Sequence, residues 1–204
     1  MIDVIDYRAG NAPSVMYALA HLGLDARLAS TPVDVAHAER LILPGVGSAG
    51  ATMASLRDLD LLDALRARVV DDGVPFLGIC IGLQVLFERS EEDDTKTIGW
   101  LAGEVHRFPD TQLVPQIGWN GVEAHRPHPL WEALPPVAHC YFVNSYHAVP
   151  ADPGDVLATA DYGGDFCAVV AHDNITATQF HAEKSGQLGL TLLDNFARWD
   201  GSSC

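Results

Sequence analysis

The sequence has little positive charge. Twelve Lys and Arg residues stand against 27 Asp and Glu residues in a chain of 204, which gives a formal net charge of −15. A nucleic-acid-binding surface needs clustered Lys and Arg to contact phosphates, and a membrane-surface patch is likewise basic. The composition therefore argues against nucleic acid and membrane as partners, and we attribute the acidity to solubility.

Long apolar runs and paired cysteines are also missing. No stretch reaches the ~20 apolar residues of a membrane span, and Met1–Asp6 lacks the basic and apolar regions of a signal peptide. The four cysteines have no zinc-type spacing. We therefore expect reduced thiols, a cytoplasmic location, and no metal or other cofactor. Three of the cysteines are interpreted as packing or tail residues: Cys140, Cys167 and Cys204.

The first half of the chain has an α/β pattern. Strands are predicted at 2–5, 26–29 and 41–43, and they alternate with helices predicted at 14–22 and 51–70. This alternation favours a mostly parallel central sheet flanked by helices, in which sites lie at the carboxyl ends of the strands. No linker or repeat interrupts the chain, so one domain is expected over residues 1–204.

The second half has a different pattern, with short strands and turns. Hairpin-type strands are predicted at 105–108, 122–125, 140–143, 156–159, 168–171 and 175–180, and they indicate an additional antiparallel portion beside the parallel sheet. The acidic run Ser90–Asp94 is interpreted as a solvated loop rather than a metal site. Ser185 is a candidate cap for a final helix. The apolar face of that helix is expected to contain Leu188, Leu192, Leu193 and Phe196.

One stretch, Val74–Glu88, organises these elements. A strand-type run leads into Gly78-Ile79-Cys80-Ile81-Gly82 and then into an apolar-periodic helix, the pattern of a nucleophile elbow. Flanking glycines permit the sharp turn, and a helix N-terminus stabilises a thiolate. A free cysteine is more often a buried structural residue, but this context favours Cys80 as a nucleophile.

Two other segments are candidate parts of the same site. The glycine-rich Pro44–Gly50 loop lacks the Gly-Lys-Ser/Thr of a P-loop. It is interpreted either as an ordinary turn or as a source of N–H groups for an oxyanion. The strand predicted to end at Phe180 is followed by His181 and Glu183, which point the same way in an extended segment. They are the best candidates for base and orienting carboxylate, with His147 as the rival base and a simple surface pair as the alternative.

Taken together, these motifs resemble the class I glutamine amidotransferases. The resemblance rests on Pro44–Gly47, Gly78–Gln84 and Phe180–Glu183. Within that group, further stretches resemble the glutaminase subunits of imidazole glycerol phosphate synthase. These stretches are Asp6–Asn11, Val85–Glu88, Val114–Asn120, Tyr141–Tyr146 and Glu183–Gly186. Two residues depart from the family pattern: Ala182 stands where Pro is usual, and Gln116 where His is common.

The resemblance implies a flavodoxin-like fold and a defined chemistry. The Cys80 thiolate attacks the side-chain amide of L-glutamine, His181 transfers protons, and Glu183 orients His181. The oxyanion is held by backbone N–H groups of Ile81 and of the segment Gly45, Val46 and Gly47. Substrate-binding positions are matched by Gln84, Ser145 and Tyr146.

The resemblance also implies a partner. In the family, ammonia passes to a separate (β/α)8-barrel cyclase subunit, which forms imidazole glycerol phosphate and an aminoimidazole carboxamide ribotide in histidine biosynthesis. A chain of 204 residues is too short to hold an additional barrel of about 250 residues. A heterodimer with the cyclase is therefore expected, and the candidates for the surface that faces it are Gln116, Trp119 and Asn120.

Three other functions remain open at this point. The chain could be the glutaminase subunit of another synthase, such as those of the anthranilate or pyridoxal phosphate pathways, although Val85–Glu88 and Pro115–Asn120 argue against this. It could be a stand-alone cysteine hydrolase, for example a peptidase or γ-glutamyl hydrolase. It could also be a non-catalytic binding module, which the presence of Cys80, His181 and Glu183 disfavours.

Overall fold

A single mixed sheet runs through the computed structural model, which describes residues 1–202; Cys204 lies outside them. Within those residues the sheet has thirteen strands. Their bounds are β1 Ile2–Ile5, β2 Ala26–Ala29, β3 Leu41–Gly45, β4 Phe76–Cys80, β5 Arg89–Ser90, β6 Thr95–Lys96, β7 Gly103–Arg107, β8 Gln116–Ala124, β9 Val137–Asn144, β10 Tyr146–Pro150, β11 Val156–Asp161, β12 Asp165–His172 and β13 Ile175–Thr178.

Five neighbouring strands form the parallel part of the sheet, in the order β2-β1-β3-β4-β13. The first four follow the 2-1-3-4 order of flavodoxin-like folds. The α-helices are α1 Ala12–His21, α2 Pro32–Ala36, α3 Ala49–Asp58, α4 Leu61–Arg66, α5 Ile81–Gln84 and α6 Gly186–Arg198. The predicted α/β class with a parallel centre is confirmed. Among residues 1–202, no helix combines the length and hydrophobicity needed to cross a membrane.

The strand predicted at 175–180 was expected in the antiparallel portion of the sheet but belongs to the parallel group. It ends at Thr178 and lies inside the parallel group, hydrogen-bonded to β4 in parallel register and to β12 in antiparallel register. It therefore joins the two halves of the sheet. The other strands of the second half, β7 to β12, form the antiparallel portion that the sequence predicts, and β10 was not predicted at all.

The helix predicted at 51–70 is in fact three segments. It breaks at Leu59 and Asp60, where Asp60 adopts a left-handed conformation with φ of 54°, and it ends in a π-helical turn at Ala67–Asp71. The break rotates the second segment so that Leu61 is buried while Leu59 and Leu62 are only partly buried. A uniform helical periodicity across 51–70 could not reveal this change of direction.

The helix after Cys80 is shorter than predicted. It is the single turn α5, after which the chain folds back and the carbonyls of residues 85–87 accept hydrogen bonds from a neighbouring loop. Val85 accepts from Ile98, Leu86 from Trp100 and Leu101, and Phe87 from Gly99. The apolar residues at 85–87 are all buried, so their hydrophobicity reflects the core rather than a helical face.

Candidate active site

Three adjacent strand ends place the candidate site at the carboxyl edge of the parallel sheet. Gly45 is the last residue of β3 and lies directly beside Cys80, the last residue of β4. On the other side of β4, β13 ends at Thr178, and His181 follows three residues later. The residues that the sequence separates by about a hundred positions therefore converge because their strands are neighbours.

The turn at Cys80 has the strained geometry of a nucleophile elbow. Cys80 adopts φ of 57° and ψ of −106°, a region that L-residues rarely occupy. A Cβ at Gly82 would collide with the carbonyl oxygen of Leu43, and a Cβ at Gly78 with the carbonyl of Gly82. Only glycine on both sides lets strand and helix approach so closely, as the sequence motif predicts.

His181 and Glu183 form a buried pair next to the sulfur. Nδ1 of His181 lies 2.8 Å from Oε1 of Glu183, and the side chains are 3% and 1% exposed. Burial lowers the pKa of His181, but the neighbouring Cys80 sulfur and the hydrogen bond to Glu183 outweigh it and raise the pKa to about 9. A surface pairing, which was the alternative, is excluded by this burial. The segment is not extended as expected, since a 3₁₀ turn at Ala182–Lys184 brings Glu183 within hydrogen-bond distance of the His181 ring.

The backbone of His181 is fixed by β9 and by Ser185. The N–H of His181 donates to the Tyr141 carbonyl over 3.0 Å. The Ser185 hydroxyl donates to the His181 carbonyl over 2.7 Å and accepts from the Tyr141 N–H over 3.0 Å. Ser185 precedes α6, but its hydroxyl does not cap that helix, so the predicted cap is wrong. The hydroxyl instead holds the candidate base in place.

Asn11 is a part of the site that was not identified as such from the sequence. Its Nδ2 donates to Glu183 Oε1 over 2.9 Å, and its Oδ1 accepts from the Ser14 hydroxyl over 2.7 Å. In the sequence, the stretch Asp6–Asn11 indicates only a family resemblance. Nothing in its composition indicates that the loop after β1 reaches a glutamate 172 residues away.

A cavity of about 300 Å³ opens beside Cys80 and His181. Its wall contains most of the predicted oxyanion and substrate-binding residues, namely Val46, Gly47, Ile81, Gln84, Ser145 and Tyr146. Gly45 lies just below, paired with Cys80 in the sheet. The cavity also has walls that were not predicted, formed by Glu92, Pro115, Val143, Asn144 and Lys184.

The acidic run Ser90–Asp94 is not a solvated loop throughout, because Glu92 lines the cavity. Glu91, Asp93 and Asp94 are exposed, as a solvated loop requires. Glu92 instead turns inward, where its Oε2 accepts a 2.8 Å hydrogen bond from the N–H of Ala49, and it lines the cavity. A run of like charges gives no signal that one member differs from its neighbours.

His147, the rival base, lies outside this arrangement. Its ring stacks on Phe108 with centroids 4.8 Å apart, and burial lowers its pKa. The cysteines Cys140 and Cys167 are also buried, and burial raises the pKa of each thiol to about 12. Both therefore have the environment of packing residues, as interpreted from the sequence.

The three candidate partner-facing residues do not all lie on the same face of β8. Trp119 is 58% exposed, next to Ile117 at 64%. Gln116 is buried, which corrects its assignment to a surface. Asn120 lies on the same side of the strand as Gln116, and its Nδ2 donates to the Asp161 carbonyl over 2.8 Å. Only Trp119 thus belongs to an exposed face.

Comparisons with known proteins give the same classification. Residues 3–198 match the model of the family "Glutamine amidotransferase class-I". The imidazole glycerol phosphate synthase subunit HisH of Dehalococcoides mccartyi is 47% identical over 197 residues, which cover 96% of each chain. The HisH subunit of Herpetosiphon aurantiacus is 46% identical, with 96% of this chain and 93% of that protein covered.

Solved structures resemble the fold at low sequence identity. A crystal structure of a glutamine amidotransferase has a TM-score of 0.75 at 22% identity, with 96% of both chains covered. The PurLQS structure from Thermotoga maritima has a TM-score of 0.76 at 18% identity, also with 96% of both covered. The solved structures show the fold, and the family match and the HisH relatives show the family. This chain belongs to the class I glutamine amidotransferases, and among them to the HisH family of imidazole glycerol phosphate synthase subunits.

Proposed function

We propose that this chain is the glutaminase subunit of imidazole glycerol phosphate synthase and that Cys80 is its nucleophile. His181 takes the thiol proton to give a thiolate–imidazolium pair, and the Cys80 thiolate then attacks the side-chain amide carbon of L-glutamine. Glu183 holds the ring through Nδ1, which leaves Nε2 directed to the reaction. Collapse of the tetrahedral intermediate breaks the carbon–nitrogen bond. The departing nitrogen takes a proton from His181 and leaves as ammonia.

Water completes the cycle by hydrolysing the thioester. His181 removes a proton from the water as its oxygen attacks the γ-glutamyl carbon, and the carbon–sulfur bond then breaks. Glutamate leaves and the Cys80 thiolate forms again. The raised pKa of His181, about 9, keeps an imidazolium available near neutral pH for the proton donation in the first half.

Two backbone segments are proposed to hold the oxyanion. The N–H of Ile81, directly after the nucleophile, is one donor, and the segment Gly45–Gly47 at the neighbouring strand end supplies the other. Gly47 has φ of 89°, a conformation that favours glycine, and a glycine backbone can also adopt other orientations. Loss of one such donor typically costs about 10²–10³ in rate.

The charged and polar wall of the cavity is proposed to bind the amino-acid end of glutamine. Glu92 supplies a carboxylate for the α-ammonium group, and Ser145 and Tyr146 supply main-chain groups for the α-carboxylate. Gln84 is buried, and its Oε1 has no hydrogen-bond partner among the described residues. An ammonium group or a water molecule is a suitable donor for that oxygen.

The ammonia is proposed to pass to a (β/α)8-barrel cyclase subunit in a cytoplasmic heterodimer. The lyase reaction of the complex, which forms imidazole glycerol phosphate and the carboxamide ribotide, then belongs to that subunit. Three features of this chain support a docking face near the cavity: Trp119 and Ile117 are exposed on β8, and Val143 links that face to the cavity wall. Residues 1–204 are proposed to act as one domain.

The observation that carries this proposal is the Cys80–His181–Glu183 arrangement at the edge of a cavity. The test is Cys80→Ala in the complex with the cyclase. Synthesis from glutamine should disappear, while synthesis from added ammonia should continue at the wild-type rate. Residual glutaminase activity in the variant would show that another group is the nucleophile.

A second assay separates this function from a stand-alone hydrolase. Glutamine hydrolysis by the wild-type chain is measured alone, with the cyclase, and with the cyclase and its nucleotide ligand. We expect poor turnover by the isolated chain, since glycine backbone allows the Gly45–Gly47 segment to adopt more than one peptide orientation until a partner fixes one. Equal turnover in all three conditions would favour the stand-alone hydrolase.

A further inference from the structure

Gln179 lies against the nucleophile and has no role in the mechanism described so far. It is fully buried, and its backbone N–H donates to the Ala168 carbonyl over 2.8 Å. Its side-chain nitrogen, Nε2, lies 3.8 Å from the sulfur of Cys80, in position for an N–H···S hydrogen bond. A buried amide beside a reactive sulfur therefore needs an explanation in terms of chemistry or packing.

The direction of this amide follows from a chain of hydrogen bonds. The carbonyl of Tyr146 only accepts, so the nitrogen end of Gln84 must face it, at 3.1 Å. The same nitrogen lies 3.1 Å from Oε1 of Gln179, which must therefore be the oxygen end. The NH₂ group of Gln179 is left facing Cys80. One backbone carbonyl thus determines the orientation of two side-chain amides in series.

We infer that Gln179 is a further catalytic residue, whose side-chain N–H donates a hydrogen bond to the sulfur of Cys80 and stabilises its thiolate. This inference rests on the proposed function, in which the thiolate attacks glutamine and forms again when the thioester is hydrolysed. Hydrogen bonds to a charged group favour that charged form. The NH₂ group carries no charge and does not titrate, so its contribution is present at every pH in the working range.

Other groups near the sulfur do titrate, and the test has to allow for them. His181 lies beside Cys80 and is hydrogen-bonded to Glu183. The buried Tyr7 lies close enough to Cys80 for a charge on one to affect the pKa of the other. Glu92 and Lys184 belong to the wall of the same cavity. All five remain unchanged when only residue 179 is replaced, so a change in thiolate formation would report on the amide.

The experiment measures alkylation of Cys80 by iodoacetamide as a function of pH, with the modified peptide identified by mass spectrometry. Gln179→Glu keeps an acceptor for Gln84 and removes the donor, and Gln179→Met removes both. The pH midpoint of alkylation should rise by about one unit in Gln179→Met, and further in Gln179→Glu because of its charge. For glutamine hydrolysis in the complex, kcat should fall about tenfold, while KM should stay within about twofold because Gln179 has no exposed surface.

Control variants exclude a merely structural effect. Thr176→Val removes a buried hydroxyl from the same strand, where it donates to the Phe76 carbonyl over 3.1 Å, and should keep the wild-type midpoint. Gln84→Met leaves Gln179 in place but frees its amide, and should raise the midpoint by a smaller amount. A folded Gln179 variant with the wild-type midpoint overturns the inference. If neither Gln179 variant folds, an unchanged midpoint in Gln84→Met overturns it instead.

Failure of this inference is distinguishable from failure of the proposed function. Wild-type protein is treated in parallel with diazo-oxo-norleucine, a glutamine analogue that alkylates the nucleophile of a glutaminase. No labelling of Cys80 would contradict the proposed function itself. Labelling of Cys80 together with unchanged midpoints in the variants would contradict only the role of Gln179.

Discussion

Asn11 donates a 2.9 Å hydrogen bond to the same oxygen of Glu183 that contacts His181. The loop after β1 thereby helps to fix the carboxylate that is hydrogen-bonded to His181, the candidate base. We expect Asn11→Ala to lower kcat for glutamine about fivefold, since loss of a hydrogen bond worth about 1 kcal/mol leaves Glu183 free to rotate. KM should change little. Steady-state kinetics of the complex with the cyclase would measure both.

A matched control for this prediction is Ser14→Ala. Its hydroxyl contacts Asn11 Oδ1 over 2.7 Å but not Glu183, so its removal should cost less activity than removal of Asn11. Asn11→Asp keeps the size of the side chain but brings a second carboxylate next to Glu183. We expect it to be more damaging than alanine. Wild-type kcat in Asn11→Ala would show that Glu183 is held without this bond.

The elbow gives a second prediction, on stability. A Cβ at Gly82 would collide with the backbone carbonyl of Leu43, which belongs to a buried strand and has no room to move. Gly82→Ala should therefore lower the free energy of unfolding by about 3 kcal/mol or more. Gly50→Ala is the control, because Gly50 lies in α3 and a Cβ there reaches only the Thr95 hydroxyl, at 3.4 Å. It should stabilise the protein by about 0.5–1 kcal/mol. Denaturant titration of both variants makes the comparison.

The elbow and the Asn11–Glu183 contact differ in how far they could be predicted from sequence. The elbow is encoded locally, since Gly78, Cys80 and Gly82 are a fixed spacing apart and their steric requirement does not depend on distant residues. Strands β1 to β3 and the final helix are also encoded by neighbouring residues, because the periodicity of their apolar residues indicates them directly. The fold class, which depends mainly on such elements, was correctly predicted.

The errors arise where a distant contact decides the structure. The helix after Cys80 ends at Gln84 because loop 98–101 binds the carbonyls of residues 85–87. Glu92 turns inward because the N-terminus of α3 lies within its reach. Gln116 is buried by the register of β8 against β9, which no composition signal fixes. In each case the residue type is compatible with either outcome, and only the tertiary partner selects one.

The pKa of His181 gives a third prediction, on the pH dependence of stability. The pKa in the folded state, about 9, lies above the ordinary histidine value of 6.5. A raised histidine pKa stabilises the folded state below the unfolded value of 6.5, and this contribution is lost as pH rises through 9. The difference in free energy of unfolding between wild type and His181→Asn should therefore be largest near pH 6 and small above pH 9.5.

Chemical denaturation at several pH values measures this difference. His139→Asn, at an exposed position of β9, controls for loss of a histidine as such. In a Cys80→Ala background the upper limit of the pH range should move down, since the neighbouring Cys80 sulfur is one of the causes of the raised pKa. A difference between wild type and His181→Asn that stayed constant from pH 6 to 9.5 would contradict the assigned charge state.

The last prediction concerns the exposed face of β8. Trp119 is 58% exposed and its ring makes a T-shaped contact with that of Tyr141, with centroids 6.0 Å apart, while Ile117 beside it is 64% exposed. Large aromatic residues at such positions are typical anchors of protein interfaces. Trp119→Ala should therefore weaken binding to the cyclase by about 2 kcal/mol, roughly 30-fold in Kd. Its free energy of unfolding should change by less than about 0.5 kcal/mol, as is usual for exposed residues.

Titration calorimetry with the purified cyclase provides the measurement. Val33→Ala is a suitable control, because Val33 is 67% exposed on α2, which packs against β1 and α4 in the first half of the chain. It should bind the cyclase like wild type. If Trp119→Ala also bound normally, the docking face would have to lie elsewhere.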